Sequence, residues 1–409
     1  MKYREQKQLN DLMDLINKSI SDKIVYITNN NKINLCHLHN LEINTIVFVQ
    51  CYNVGFNSVP ANITQLYLQD CKITQIKGIQ QMKSLQILDL KNNQISNIQY
   101  LQFFTLINEL DLSKNCIRDI SALSNLVSLK ELNLNYNKIK NISTLEKLTE
   151  LQQLHMRENS VNDIQPLANL VNLKVLLLSG NVIQDITSVQ HLNNLSTFDI
   201  MFNKIKDLHS LKNLRSLKVI HAHSNNLKNF RTRNITQSTL LTNLNLNQTK
   251  ISDIQALSQL IELNSLQISS NMISDITVVS NMLKLKEFNV SSNQLVEISA
   301  IQDLIQLEEL YIDYNFVADL DPIKNHENKA QYVISNQMQP STNQIMLSLK
   351  QKQIHTIQQT YPRIRHGQIR NRFKKQIDDV MVKAQLNHNH FLQKLQNLFN
   401  ILNLIFENQ

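Results

Sequence analysis

His221 and His223 stand two residues apart, the spacing that places both imidazoles on one face of a β-strand. With Asp199 on the neighbouring strand, about 4.8 Å away, the three side chains have the identities of a Zn²⁺ site. No orienting partner accompanies them in the sequence, so the expectation is a chain without metal or other cofactor. Covalent catalysis has less support, because no nucleophile stands at a known spacing from a base. Four glycines form no phosphate-binding loop. No Cys follows Cys116, which excludes a thioester-forming ligase in the tail, and the chain is expected not to be an enzyme. A second chemistry-bearing stretch is RIRHGQIRNRFKK, from Arg363 to Lys375, with six Lys or Arg and no acid. It suits nucleic acid or an anionic membrane. Without aromatic interleaving or a nucleic-acid motif, the solvated face of a capping helix is the preferred reading. The whole net charge of +8 sits in this region: residues 324–409 hold 12 Lys and Arg against 4 Asp and Glu, leaving 29 of each before them.

The elements that must position these side chains follow from a repeat. Asn93, Asn115, Asn137, Asn159, Asn181, Asn203 and Asn225 succeed one another every 22 residues. A two-residue slip falls in FRTRNI (230–235), and the series resumes at Thr249, Asn271, Asn293 and Asn315. Backward it reaches Cys71 and, more loosely, Cys51 and Asn30. Counting the asparagine as zero, apolar residues fall at −8, −5, −3, +2 and +5; around Asn115 these are Ile107, Leu110, Leu112, Ile117 and Ile120. The alternation at −5 and −3 predicts a short strand. The later spacing of threes predicts an extended or 3₁₀ return rather than a long helix. One such turn cannot bury its own leucines, so neighbouring turns must stack. The asparagine amide carries both a donor and an acceptor, as needed where the backbone leaves the strand.

This frame, LxxLxLxxNxI, resembles that of leucine-rich-repeat proteins of the 22-residue class over residues 25–323, and repeated Asp-Ile pairs such as Asp119-Ile120 and Asp163-Ile164 support the class. It is similar in frame to the type-1 phosphatase regulatory subunit with such repeats and to internalins. The resemblance implies an α/β leucine-rich-repeat solenoid: a curved parallel sheet on the concave face, 3₁₀ or irregular segments on the convex side, and helical terminal segments. The phosphatase regulator's family ends in a cap with Tyr-Arg and Leu-Pro-x-Leu; the exit here reads LDPIKNHENKAQYVISNQMQPSTNQ, and the chain has no Trp, so none of that family's binding residues is carried over. Residues 1–24, with Leu9, Leu12, Met13, Ile16 and Ile20 on one stripe, read as a helical cap. Residues 25–323 form the solenoid, with about 12 regular and 2 degenerate repeats, and 324–409 a cap or linker with a basic helical tail. A charged start without an apolar h-region and four scattered cysteines lead to the expectation of an intracellular, cytoplasmic protein.

In this register positions −6, −4 and −2 point out of the sheet. They carry eight carboxylates (Asp89, Glu109, Asp111, Glu131, Asp199, Glu287, Glu309 and Asp313) against two bases, Lys91 and Arg157. The middle is apolar and imidazole-rich: His155, Val175, Leu177, Met201, Val219, His221 and His223, with Phe202 at the rim. Solvent-facing aliphatic residues on adjacent strands point to a partner. The expected function is a protein-interaction scaffold whose concave face takes a partner basic around an apolar contact. The alternatives are a regulatory subunit of an enzyme such as a phosphatase, and a nucleic-acid or membrane tether through residues 363–375.

Overall fold

In the computed structural model the described residues all belong to one unit, within Met1–Ser348. The structure describes residues 24–338 apart from 29–42, 52–53, 55, 57–58, 228–234, 236, 325, 327–330 and 335–336. The helical segments expected before residue 24 and in the basic tail, and residues 363–375, lie outside the described residues. Strands β1 (Ile24–Thr28), β2 (Thr45–Val49), β3 (Gln65–Gln69), β4 (Ile87–Asp89), β5 (Glu109–Asp111), β6 (Glu131–Asn133), β7 (Gln153–His155) and β8 (Val175–Leu177) are followed by seven more. These are β9 (Thr197–Asp199), β10 (Val219–His221), β11 (Asn243–Asn245), β12 (Ser265–Gln267), β13 (Glu287–Asn289), β14 (Glu309–Tyr311) and β15 (Gln331–Val333). They form one open parallel sheet in sequence order, each strand paired with the next. Short 3₁₀ turns such as Ser121–Leu123 and Ser143–Lys147 make the return, and no α-helix occurs among the described residues. Among them no helix is long and apolar enough to cross a membrane. This is a leucine-rich-repeat solenoid.

The apolar frame forms the core between sheet and return side. Ile107, Leu110, Leu112, Ile117 and Ile120, and their equivalents in the other turns, are buried. Burial of each such side chain is worth roughly 1.5–3 kcal/mol before chain entropy is counted.

The asparagines knit one turn to the next. Asn137 Nδ2 donates to its own turn's Leu134 O (3.1 Å) and to Leu112 O (2.9 Å) in the turn behind. Its Oδ1 accepts from Ile117 N (3.0 Å) of that same preceding turn. Asn115, Asn159, Asn181, Asn203, Asn225, Asn293 and Asn315 repeat the pattern, as do Asn93 and Asn271 with small variations. Each amide thereby satisfies three backbone groups that burial would otherwise strand.

Three further features belong to the frame. Asp or Asn four residues on accepts from a backbone N–H at the start of the 3₁₀ turn, as in Ser121 N to Asp119 Oδ1 (2.8 Å) and Gln165 N to Asp163 Oδ1 (2.8 Å), which gives the Asp-Ile pairs their structural task. The residue just before each ladder position is left-handed, from Asn92 (φ 55°) to Tyr314 (φ 53°). Only Gly180 (φ 67°) relieves that strain, and the Glu158 carboxylate lies where its Cβ would be. The coil also continues past residue 323, where the sequence reading ended it. Tyr332 and Ile334 pack on the core, and Gln337 takes the ladder position, donating to Ile312 O (2.9 Å) and accepting from Val317 N (3.1 Å).

The ladder is interrupted where the register slips, at Thr249. Thr249 Oγ1 bonds Leu246 O (2.7 Å) of its own turn, whereas the asparagines also reach a carbonyl of the turn behind. There the link is a backbone bond, Leu227 N to Thr249 O (2.9 Å).

Candidate functional site

The outward face of the sheet has three regions. On β4–β6, Asp89, Glu109, Asp111 and Glu131 line an open depression of about 290 Å³ with Tyr67 and His155 at its ends. Three of the four carboxylates are tied down by neighbouring side chains. Gln69 Nε2 donates to Asp89 (2.5 Å), Asn133 Nδ2 to Asp111 (2.8 Å) and Gln153 Nε2 to Glu131 (2.6 Å). Backbone N–H groups of Lys91 and Ser113 cap Asp89 (2.8 Å) and Asp111 (2.7 Å). Burial, and to a lesser degree the negative charge of Asp111, push the Asp89 carboxyl above its ordinary pKa despite those donors. The Tyr67 hydroxyl is likewise raised by burial, then by Glu109 and Asp89.

The middle region, β7–β10, brings His155, Val175, Leu177, Met201, Val219, His221 and His223 onto one half-buried surface. Phe202 stands beside it, 56% exposed, its left-handed backbone (φ 51°) turning the ring to the rim. The ring meets His223 edge-on at 4.7 Å between centroids. His223 Nδ1 lies 3.0 Å from Ser224 Oγ.

Asp199 departs from the expectation that the outward carboxylates face solvent. It is fully buried. Arg157 reaches from the end of β7 across β8, and its Nε (2.8 Å) and Nη2 (2.7 Å) both bond Asp199 Oδ2, while Met201 N donates to Oδ1 (3.2 Å). Asp199 is the cross-strand partner of His221, so two of the three suspected ligands stand side by side. The carboxylate is already occupied by the guanidinium, and among the described residues no group of three His, Cys, Asp or Glu is arranged to hold a metal ion.

All three imidazoles are held below the ordinary histidine pKa, chiefly by burial. Arg157 adds to the lowering at His155 and His221, and Asp199 opposes it at His221 and His223. Each ring is therefore harder to protonate than a free histidine. His155 Nε2 is shielded from solvent and has no hydrogen-bond partner among the described residues, an unsatisfied polar atom beside the apolar patch.

The third region, β11–β14, is mostly amide and hydroxyl. Ser265 Oγ donates to Glu287 (2.7 Å), and the Tyr311 hydroxyl lies 3.4 Å from Glu309. Sequence reasoning missed the Arg157–Asp199 pair. The available signal was their placement in outward rows two strands apart, about 10 Å, a gap that a long guanidinium side chain narrows from one side.

A family profile described as "Leucine Rich repeats (2 copies)" matches residues 61–102, 106–147 and 127–169. No curated protein matches the chain in sequence. Among solved structures it is similar to an internalin, InlF, of Listeria monocytogenes: 31% identity, 67% of this chain and 88% of that one, TM-score 0.64. It shares its fold with a leucine-rich-repeat protein of Leptospira interrogans: 22% identity, 76% and 89% coverage, TM-score 0.67. The same holds for the plant peptide hormone receptor RGFR1, solved in complex with RGF2: 19% identity, 72% and 63% coverage, TM-score 0.54.

Proposed function

The chain belongs to the leucine-rich-repeat family, and from that premise we propose that it is a non-enzymatic scaffold that binds a protein partner across the outward face of its sheet. The observation that carries this reading is the patch of Val175, Leu177, Met201 and Val219 with the exposed ring of Phe202, apolar side chains held on rigid neighbouring strands of an otherwise polar face. A few such anchors, surrounded by polar groups, supply most of the energy of an interface. The engaged state of Asp199 favours this use over metal chemistry. The test is to capture the partner with the full-length chain, identify it by mass spectrometry and measure its affinity for Leu177→Asp and Val219→Asp. Each substitution is expected to weaken binding by about 2 kcal/mol or more. Wild-type affinity in both variants would remove the centre of the face as the site.

A further inference from the structure

The charge on the sheet face is distributed unevenly about the apolar centre. Four carboxylates, Asp89, Glu109, Asp111 and Glu131, occupy three successive strands, β4–β6, and share one depression. Lys91 beside Asp89 is one cation against these four carboxylates, and the Arg157–Asp199 pair between this field and the far side of the patch is closed on itself, so the field stays negative. In the other direction, β11 and β12 present uncharged Asn243, Asn245 and Gln267 before Glu287 appears on β13.

Resting on the reading above, we propose that the occupant of this face is a basic amphipathic helix of the partner, laid along the stacking direction, with apolar side chains over β8–β10 and Lys or Arg over the depression on β4–β6. Spacing selects a helix over an extended segment. Strands succeed one another about every 4.8 Å, and a helix presents one face every 5.4 Å, a drift of only about 0.6 Å per strand. Alternate residues of an extended chain lie about 6.6 Å apart and lose register by nearly 2 Å at each strand. The face from position −6 to −2 is about 13 Å wide along the strands, which suits a helix diameter of about 10–12 Å. A helix also satisfies its own backbone, so it can lie on aliphatic side chains without stranding N–H groups. From β5 to β9 is four strand spacings, about 19 Å, or about 13 helical residues. That number fixes the distance between the partner's basic cluster and its apolar anchors.

The proposal is tested with the full-length chain and two synthetic alanine-rich helical peptides. Each carries leucines at i, i+4 and i+7 and three lysines, the lysines centred about 13 residues from the leucines in one and about 6 in the other. In fluorescence anisotropy at low salt the longer spacing is expected to bind at least about tenfold tighter. The advantage should vanish in Glu109→Gln/Glu131→Gln and persist in Glu287→Gln/Glu309→Gln. Equal affinity of the two peptides, binding by neither, loss through the Glu287/Glu309 variant instead, or full binding by a proline-interrupted version of the longer peptide would each overturn the proposal. The scaffold reading fails separately: if Leu177→Asp abolishes binding of the captured partner while the peptides behave alike, only the helix and its spacing are wrong.

Discussion

The ladder and the outward sheet face are drawn from the same 22-residue frame, yet one repeats and the other does not. Position zero is asparagine in ten turns and does the same three-bond task in nearly all of them. Position −4, between the core-facing residues at −5 and −3, runs through Tyr67, Asp89, Asp111, Asn133, His155, Leu177 and Asp199 without settling. A buried backbone group presents the same demand in every turn, so one side chain answers it everywhere. Solvent makes no such demand, and what the face carries is free to answer to a partner.

Substitutions can break that contrast. The largest expected effect is at the ladder: Asn137→Ala strands Leu112 O, Leu134 O and Ile117 N and is expected to lower stability by about 3 kcal/mol, read from the urea midpoint. Asn159→Ala, at a half-buried position, should cost less. An unchanged midpoint in both would show that the amides are replaceable by water. Next is the face residue that behaves as core. Arg157→Ala leaves the Asp199 carboxylate buried with a single backbone donor, and a loss of about 2 kcal/mol is expected, moderated by solvent access to the arginine's site. Leu177→Asp sharpens the comparison from the other side, with less than about 1 kcal/mol of stability lost although binding falls by about 2 kcal/mol.

A smaller effect comes from pH. The three histidines have folded pKa values below their unfolded ones, so the unfolded chain takes up protons first. Their contribution is complete above the unfolded value of about 6.5 and is lost as pH falls below it. Asp89, with its raised pKa, works in the opposite direction: its folded carboxyl takes up a proton first, which favours the folded chain as pH falls further. Comparing urea midpoints at about pH 7.5 and about pH 5 should show a decline that is flatter in His155→Asn/His221→Asn/His223→Asn. The smallest expected change is at the left-handed row, where Ser270→Gly (φ 54°) should gain about 0.5 kcal/mol. Gly180→Ala should lose stability, because its Cβ would meet the Glu158 carboxylate. The same sign for both would remove backbone strain as the cause.

Most of the fold was legible because its causes are periodic. The apolar frame fixes strand and return, and the two-residue slip is visible as a change of register before Thr249. What escaped was of two kinds. The turn at β15 was unread because Tyr332, Ile334 and Gln337 replace the usual leucines and asparagine, although glutamine carries the same donor and acceptor on one more methylene. The state of Asp199 was unread because period-two alternation places residues one at a time, and its burial is caused by an arginine that starts two strands away. The identity of the apolar centre was legible, from Val175 to Val219. The depressed histidine pKa values were not, since they depend on how closely neighbouring strands crowd each ring.

The bond pattern of the ladder also makes length a quantised property of this protein. Each asparagine reaches back to a carbonyl 25 residues earlier and an N–H 20 residues earlier, distances that a whole added or deleted turn leaves unchanged for every asparagine in the array. A duplication of 22 residues is therefore invisible to the turns on either side, whereas at Thr249, where the register has slipped by two and no amide is present, a backbone bond stands in for the amide bridge. The reach of the face is set in steps of one strand spacing by how many such units the chain contains.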